Sequence, residues 1–343
     1  MRNEKSGKVT LANIITILGL VLLLVCLWLG KALKSGELGG ISALIAVGIT
    51  IATALVLWVM IKAKGAETDT SKWKIVEFST LALYIALAVL TAPIALHFFS
   101  VLSNKDKLQK DAQSDIAAIQ QAIEDFKKKE QDQLNATCQG LENVLSNKEN
   151  GKNDPKQDVI TFIEDEVGAN YKNNFGKVFI EEWKKKWKND IEIIDLSGMT
   201  KKDLDGVEPT AYDKTWSDRI ASCKNTIRNW QLLKIPSAVG NIQSLSEEVD
   251  NVLNTFSKNA PYSPIFYDSK ANIYTIGKHK ANKYPIKNEL QDAIKNLSPY
   301  TVIGIAAMVL IHLLVLFNYF MAYRTHRQEK RRSENDGGII LNI

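Results

Sequence analysis

Four stretches of the chain, Thr10–Gly30, Gly40–Ile61, Phe78–Leu102 and Tyr300–Tyr323, contain no Lys, Arg, Asp or Glu. Each reaches the ~20 apolar residues a helix needs to cross a hydrocarbon core. The third does not stop at its apolar end. Between Pro93 and Gly140 there is neither Gly nor Pro, so the run passes into a charged helix that extends to about Leu145. In that second half the apolar residues are Ala112, Ile116, Ile119, Ile123 and Phe126, then Leu134, Cys138, Leu141 and Leu145. Steps of three and four make a single stripe along a helix or coiled-coil seam, with Glu130 its one polar interruption.

The predicted fold is therefore all-α: a four-span transmembrane helix bundle with a large extracytoplasmic helical-bundle domain inserted between spans three and four. The predicted parts are 1–102 (N-terminal end and spans one to three), 103–299 (an elongated bundle with a cap at 150–211), 300–323 (span four) and 324–343 (a basic tail). Residues 103–299 carry 29 Lys/Arg against 30 Asp/Glu, so the net charge of +5 comes from the membrane flanks. No basic surface for a phosphate backbone is visible, and no nucleic-acid partner is expected.

Basic residues near the span ends set the predicted orientation. The N-terminal segment, the 62–77 loop and the tail together hold twelve Lys/Arg, whereas the 31–39 loop holds only Lys31 and Lys34. That imbalance places both termini in the cytoplasm and 103–299 outside. The first span is too long for a signal-peptide h-region and no small-x-small cleavage site follows it.

The outer segment reads as further helices. Val159–Val167 is a short one, and Asn174–Asn189 carries Phe175, Phe179, Trp183 and Trp187 four apart. Trp216, Ile220, Cys223, Ile227 and Trp230 form another stripe, as do Ala238, Ile242, Leu245, Val249, Val252 and Phe256. Ile286, Leu290, Ala293 and Leu297 predict a helix leading to span four. Ile191–Ile194 suggests a short strand, and a small hairpin is expected around Ile273–Ile276.

Several groups invite a functional reading. His312 lies mid-depth in span four, where an ionisable group is a functional candidate; the plainer reading is an interhelical hydrogen bond, as for Asn13, Thr16 and Thr91. Trp183-Lys184-Lys185-Lys186-Trp187 pairs aromatic rings with cations, which suits anionic lipid or a partner. The plainer alternative buries both tryptophans and leaves the lysines in water. Ser42, Ala46, Thr50 and Ala54 make a small-residue face for close helix packing. Cys138 and Cys223 both sit on apolar stripes outside the membrane and predict a disulfide. His279 is read as a solvated loop residue. Asp203-Leu204-Asp205-Gly206 resembles part of a calcium loop, but Lys201 and Tyr212 stand where acidic ligands belong.

The layout of four spans with one small and one large outer loop resembles a tetraspanin in plan. Cys138-Gln139-Gly140 stands where that family has Cys-Cys-Gly, so no family residue is carried over. Few cysteines and a Lys/Asn-rich composition suggest a bacterial inner-membrane protein with 103–299 periplasmic. No nucleotide, nucleophile or metalloprotease motif is present, so neither an enzyme nor a cofactor is expected. The predicted role is a structural or interaction subunit, its partners membrane lipids and either another protein or a second copy. A sensor that relays an envelope state, and a channel or transport accessory, are the alternatives.

Overall fold

The computed structural model describes residues 11–36, 38–65, 70–196 and 215–322. The N-terminal basic residues, the Asp203–Gly206 motif and the basic tail lie outside them. Of the described residues 77% are helical, and they include a single two-stranded antiparallel hairpin. It divides into two compact units.

The first unit comprises Met1–Gln109, Trp230–Gly240 and Gln291–Ile343. Its helices α1 (Leu11–Ser35), α2 (Gly40–Lys64) and α3 (Thr70–Ser103) are each long and apolar enough to cross a membrane. The fourth apolar segment differs from expectation. Its helix α10 (Val302–Val315) has 14 residues, and a break at Leu316 precedes the short α11 (Phe317–Met321). Both helices pack against α1, α10 also against α3, and α11 also against α2.

Close approach in this unit depends on missing side chains. A Cβ at Gly30 would lie 1.9 Å from the Ile94 carbonyl oxygen, and one at Gly19 would lie 2.7 Å from the Val315 nitrogen. Without a Cβ at these positions, α1 approaches α3 and α10 closely enough for their backbones to touch. Leu23, Leu27, Leu57, Met60, Leu96, Met308 and Val315 fill the space between the helices. Many other apolar side chains, among them Ile14, Ile51, Val89 and Leu310, face outward.

The second unit comprises Lys110–Asn229 and Asn241–Leu290. Helix α4 (Lys105–Glu149) begins one residue after α3 and runs for 45 residues. Its stripe is buried as the 3–4 spacing requires, with Ile119, Phe126, Leu134, Cys138 and Leu141 at most 1% exposed. There follow α5 (Gln157–Phe162), which continues into a π turn at Ile163–Val167, then α6 (Lys177–Ile193) and α7 (Trp216–Arg228). Helix α8 (Ile235–Asn259) and the hairpin β1 (Ile265–Asp268) and β2 (Ile273–Ile276) come next. Ile265 pairs with Ile276 and Asp268 with Ile273.

Three local expectations are corrected. Ile191–Ile194 forms no strand, because α6 continues to Ile193 and buries Ile191. The helix predicted over 286–297 is the shorter α9 (Glu289–Lys295). Its start is set by the buried Asp115, whose carboxylate accepts the Glu289 and Leu290 N–H bonds at 3.0 and 2.9 Å. These amides have no partner within their own helix, and a carboxylate from α4 supplies one. Trp230 does not continue the α7 stripe; the helix ends at Arg228 and Trp230 takes a positive φ of 49°.

Candidate functional site

The apolar stripe of α4 turns Glu130 toward the interior of the second unit, where it is 0% exposed. A buried carboxylate costs several kcal/mol unless its oxygens are satisfied. Here three donors converge on it. The Tyr262 hydroxyl donates to Oε2 at 2.7 Å, and the Tyr284 hydroxyl and Asn282 Nδ2 donate to Oε1 at 2.5 and 3.0 Å. Burial, and then the carboxylate itself, push both phenols well above the ordinary tyrosine range. They therefore stay protonated and remain donors. Phe126 walls the cluster, edge-on to Tyr284 and to Phe256.

A second layer of bonds ties this hub to the chain around it. His279 is half-buried, contrary to its reading as a solvated loop residue. Its Nδ1 and Nε2 each lie 2.7 Å from a carbonyl oxygen, of Tyr262 and Ser257 respectively. The Ser257 hydroxyl accepts from the Asn282 backbone N–H, and Asn254 accepts from that of Tyr284. The irregular segment 277–288 thus gains fixed backbone partners from two side chains of α8 (Ile235–Asn259). A groove of about 350 Å³ adjoins the cluster, lined by Asp115, Asp125, Lys129, Lys283, Tyr284 and Glu289 among others. Among the described residues no group of three or more His, Cys, Asp or Glu is placed to hold a metal ion.

The residues singled out from the sequence fall as follows. His312 accepts or donates through Nδ1 to the Tyr84 hydroxyl at 2.8 Å, an interhelical bond between α3 and α10. Asn13 Oδ1 accepts from Asn318 Nδ2 at 2.6 Å, and Thr16 Oγ1 accepts from the Asn318 N–H. Thr91 bonds within its own helix, to the Leu87 carbonyl. Of the small-residue face, Ser42 and Ala46 are buried, whereas Thr50 and Ala54 are half-exposed; the contact face drifts to Thr53 and Leu57 and serves α1 and α3 of the same chain.

Trp183 and Trp187 point inward. Trp183, 5% exposed, meets Phe162 edge-on, and Trp187 meets Phe256 and Tyr262. Lys185 and Lys186 are exposed and Lys184 half-buried, so the plainer reading of this pattern is the observed one.

The disulfide expected between Cys138 and Cys223 is absent. Both are free, buried thiols, as is Cys26. Cys138 and Cys223 fill stripe positions as small apolar residues, and burial pushes both thiols up to about 11.

Sequence reasoning missed Glu130 and Asp115 as architectural centres. The available signal was Glu130 itself, an acid on the buried stripe with a Tyr/Asn-rich segment elsewhere in the chain to supply donors. No protein-family model matches the chain, and neither a curated protein nor a solved structure resembles it.

Proposed function

We propose that this protein is an integral-membrane interaction subunit. It spans the membrane four times, with α10 and α11 together as the last span, and exposes residues 103–299 on the extracytoplasmic side. There the helical unit holds a partner protein or a second copy. The 20 residues from Val302 to Met321 extend about 30 Å at helical rise, which is the thickness of a hydrocarbon core.

The observation that carries this reading is how the second unit uses its buried polar groups. Glu130, Asp115, Ser257 and His279 each bond other parts of the unit and so hold its irregular segments in one shape. A satisfied polar network of this kind specifies a single arrangement and favours a rigid surface for recognition. Arg219 and Glu248 add a two-pronged ion pair between α7 and α8, at 2.5 and 3.1 Å.

The test is purification from native membranes in mild detergent after lysine cross-linking. A discrete species heavier than one chain is expected. Recovery of the chain only as a lone monomer counts against the reading.

A further inference from the structure

The second unit contains a groove of about 610 Å³ lined by Asn147, Lys152, Asn153, Tyr267, Asn272 and Tyr274. Two local motifs build it. Helix α4 ends in a left-handed turn at Gly151, φ 64°, where the Lys152 N–H bonds the Asn147 carbonyl and the Gly151 N–H bonds that of Lys148. This paired closure is the Schellman arrangement, and it swings Lys152 and Asn153 back beside Asn147. Asn147 Nδ2 then donates to the Asn153 carbonyl at 3.1 Å.

The other wall is the hairpin. Asp268 Oδ1 accepts the Lys270 and Ala271 N–H bonds and Asn272 takes φ 54°, which closes the turn. Tyr267 and Tyr274 are cross-strand partners with ring centroids 5.2 Å apart, and the Tyr267 hydroxyl donates to Asn272 Oδ1. The Lys156 N–H bonds the Tyr274 carbonyl and so joins the two motifs.

Cross-strand aromatic pairing stabilises a hairpin, yet Tyr267 remains 46% exposed after it. Among the described residues, the Asn153 side-chain amide, the Lys152 ammonium and the Tyr274 hydroxyl make no hydrogen bond. Exposed aromatic surface beside the unbonded Asn153 amide and the second amide atoms of Asn147 and Asn272, each of which makes only one bond, matches one ligand chemistry closely. A sugar ring offers an apolar C–H face and a rim of neighbouring hydroxyls, and an amide presents the donor and acceptor that such hydroxyls require. A single lysine is too little charge for a nucleic-acid backbone, and the walls are too polar for an apolar ligand. The volume lies within the range of small-molecule sites, about 300–1,000 Å³.

We propose that the groove between the Gly151 turn and the β1–β2 hairpin binds a saccharide, with the exposed Tyr267 under the ring and Tyr274, inclined at 60° to it, at its edge, Asn147, Asn153 and Asn272 on its hydroxyls, and Lys152 selecting for acidic sugars. The proposal goes beyond the interaction role and stands without it, since sugar binding belongs to the groove itself.

The test uses the purified full chain in a detergent without a sugar headgroup. Tetrasaccharides of glucose, N-acetylglucosamine and galacturonic acid are titrated by calorimetry and by saturation-transfer NMR. At least one binds with Kd at or below about 1 mM. Tyr267→Ala weakens binding at least about tenfold, or 1.4 kcal/mol. Asn153→Ala breaks no side-chain bond among the described residues; it weakens binding while leaving thermal unfolding unchanged, so the result stands even if Tyr267→Ala disturbs the hairpin. Lys152→Gln weakens galacturonate selectively. Absence of binding by all three sugars at about 10 mM, or binding that survives both Tyr267→Ala and Asn153→Ala, overturns the proposal. A lone monomer that still binds sugar would remove the partner reading and leave this one intact.

Discussion

Two acidic side chains show how a single residue organises its surroundings. Glu130 accepts from two phenols and an amide while fully buried. Replacing it with Ala orphans two hydroxyls and opens a cavity, a loss of about 3–5 kcal/mol. Glu130→Gln keeps the shape but turns an NH2 toward one hydroxyl, which costs roughly 1–3 kcal/mol. Denaturant melts of the two variants should rank in that order; equal stability of Glu130→Ala and wild type would refute the hub. Asp115, 2% exposed, has its folded pKa raised above 3.8 by burial, which outweighs the two backbone N–H bonds it accepts. Between 3.8 and that raised value the folded state binds more protons than the unfolded state, so stability falls as pH rises through the window. The contribution of Asp115 relative to Asp115→Asn is accordingly fully present below pH 3.8 and shrinks as pH rises through the window toward neutrality. Thermal melts across that range check the sign, and a gap that widens with pH contradicts it.

At the level of elements, glycine decides how closely helices and strands approach. A Cβ on Gly140 would lie 2.6 Å from both Cβ and the carbonyl oxygen of Ile265, so α4 meets β1 there with no room to spare. Alanine gains about 1 kcal/mol of helix propensity over glycine, whereas overpacking costs about 1–3 kcal/mol. Gly140→Ala should therefore lower the melting temperature. In the apolar helices the contrast is sharper: Gly30→Ala collides with Ile94, while Gly48 has nothing within 4 Å of an added Cβ. Gly30→Ala should destabilise the protein in detergent and Gly48→Ala should not. Equal melts for the two would show that α1 and α3 do not pack through Gly30. These contacts were not legible beforehand, because a glycine in a helical run looks the same whether it faces lipid or a neighbouring backbone.

For the whole molecule, the proposed topology makes a direct prediction. Cysteines introduced at the exposed Ser146, on α4, and at Ser333 in the tail should label oppositely with an impermeant maleimide in intact cells. Ser146→Cys reacts and Ser333→Cys does not; the reverse pattern inverts the model. The native thiols give a low background, since all three are buried and Cys138 and Cys223 are pushed up to about 11.

Periodicity alone determined most of the helices. Uninterrupted apolar runs and 3–4 stripes are local properties of the chain, and a helix that buries one face must display them in sequence. The π turn after α5, the truncation of α9 by Asp115 and the split between α10 and α11 are not written in any local pattern. Neither is the pairing of partners. Which thiols meet, which tyrosines reach Glu130 and which glycines face a backbone all depend on residues far apart in the chain, 154 positions in the case of Glu130 and Tyr284. Cys138 and Cys223 satisfied every local condition for a disulfide, yet each remained a buried free thiol, because stripe position specifies the face of a helix and only tertiary packing determines what lies opposite it.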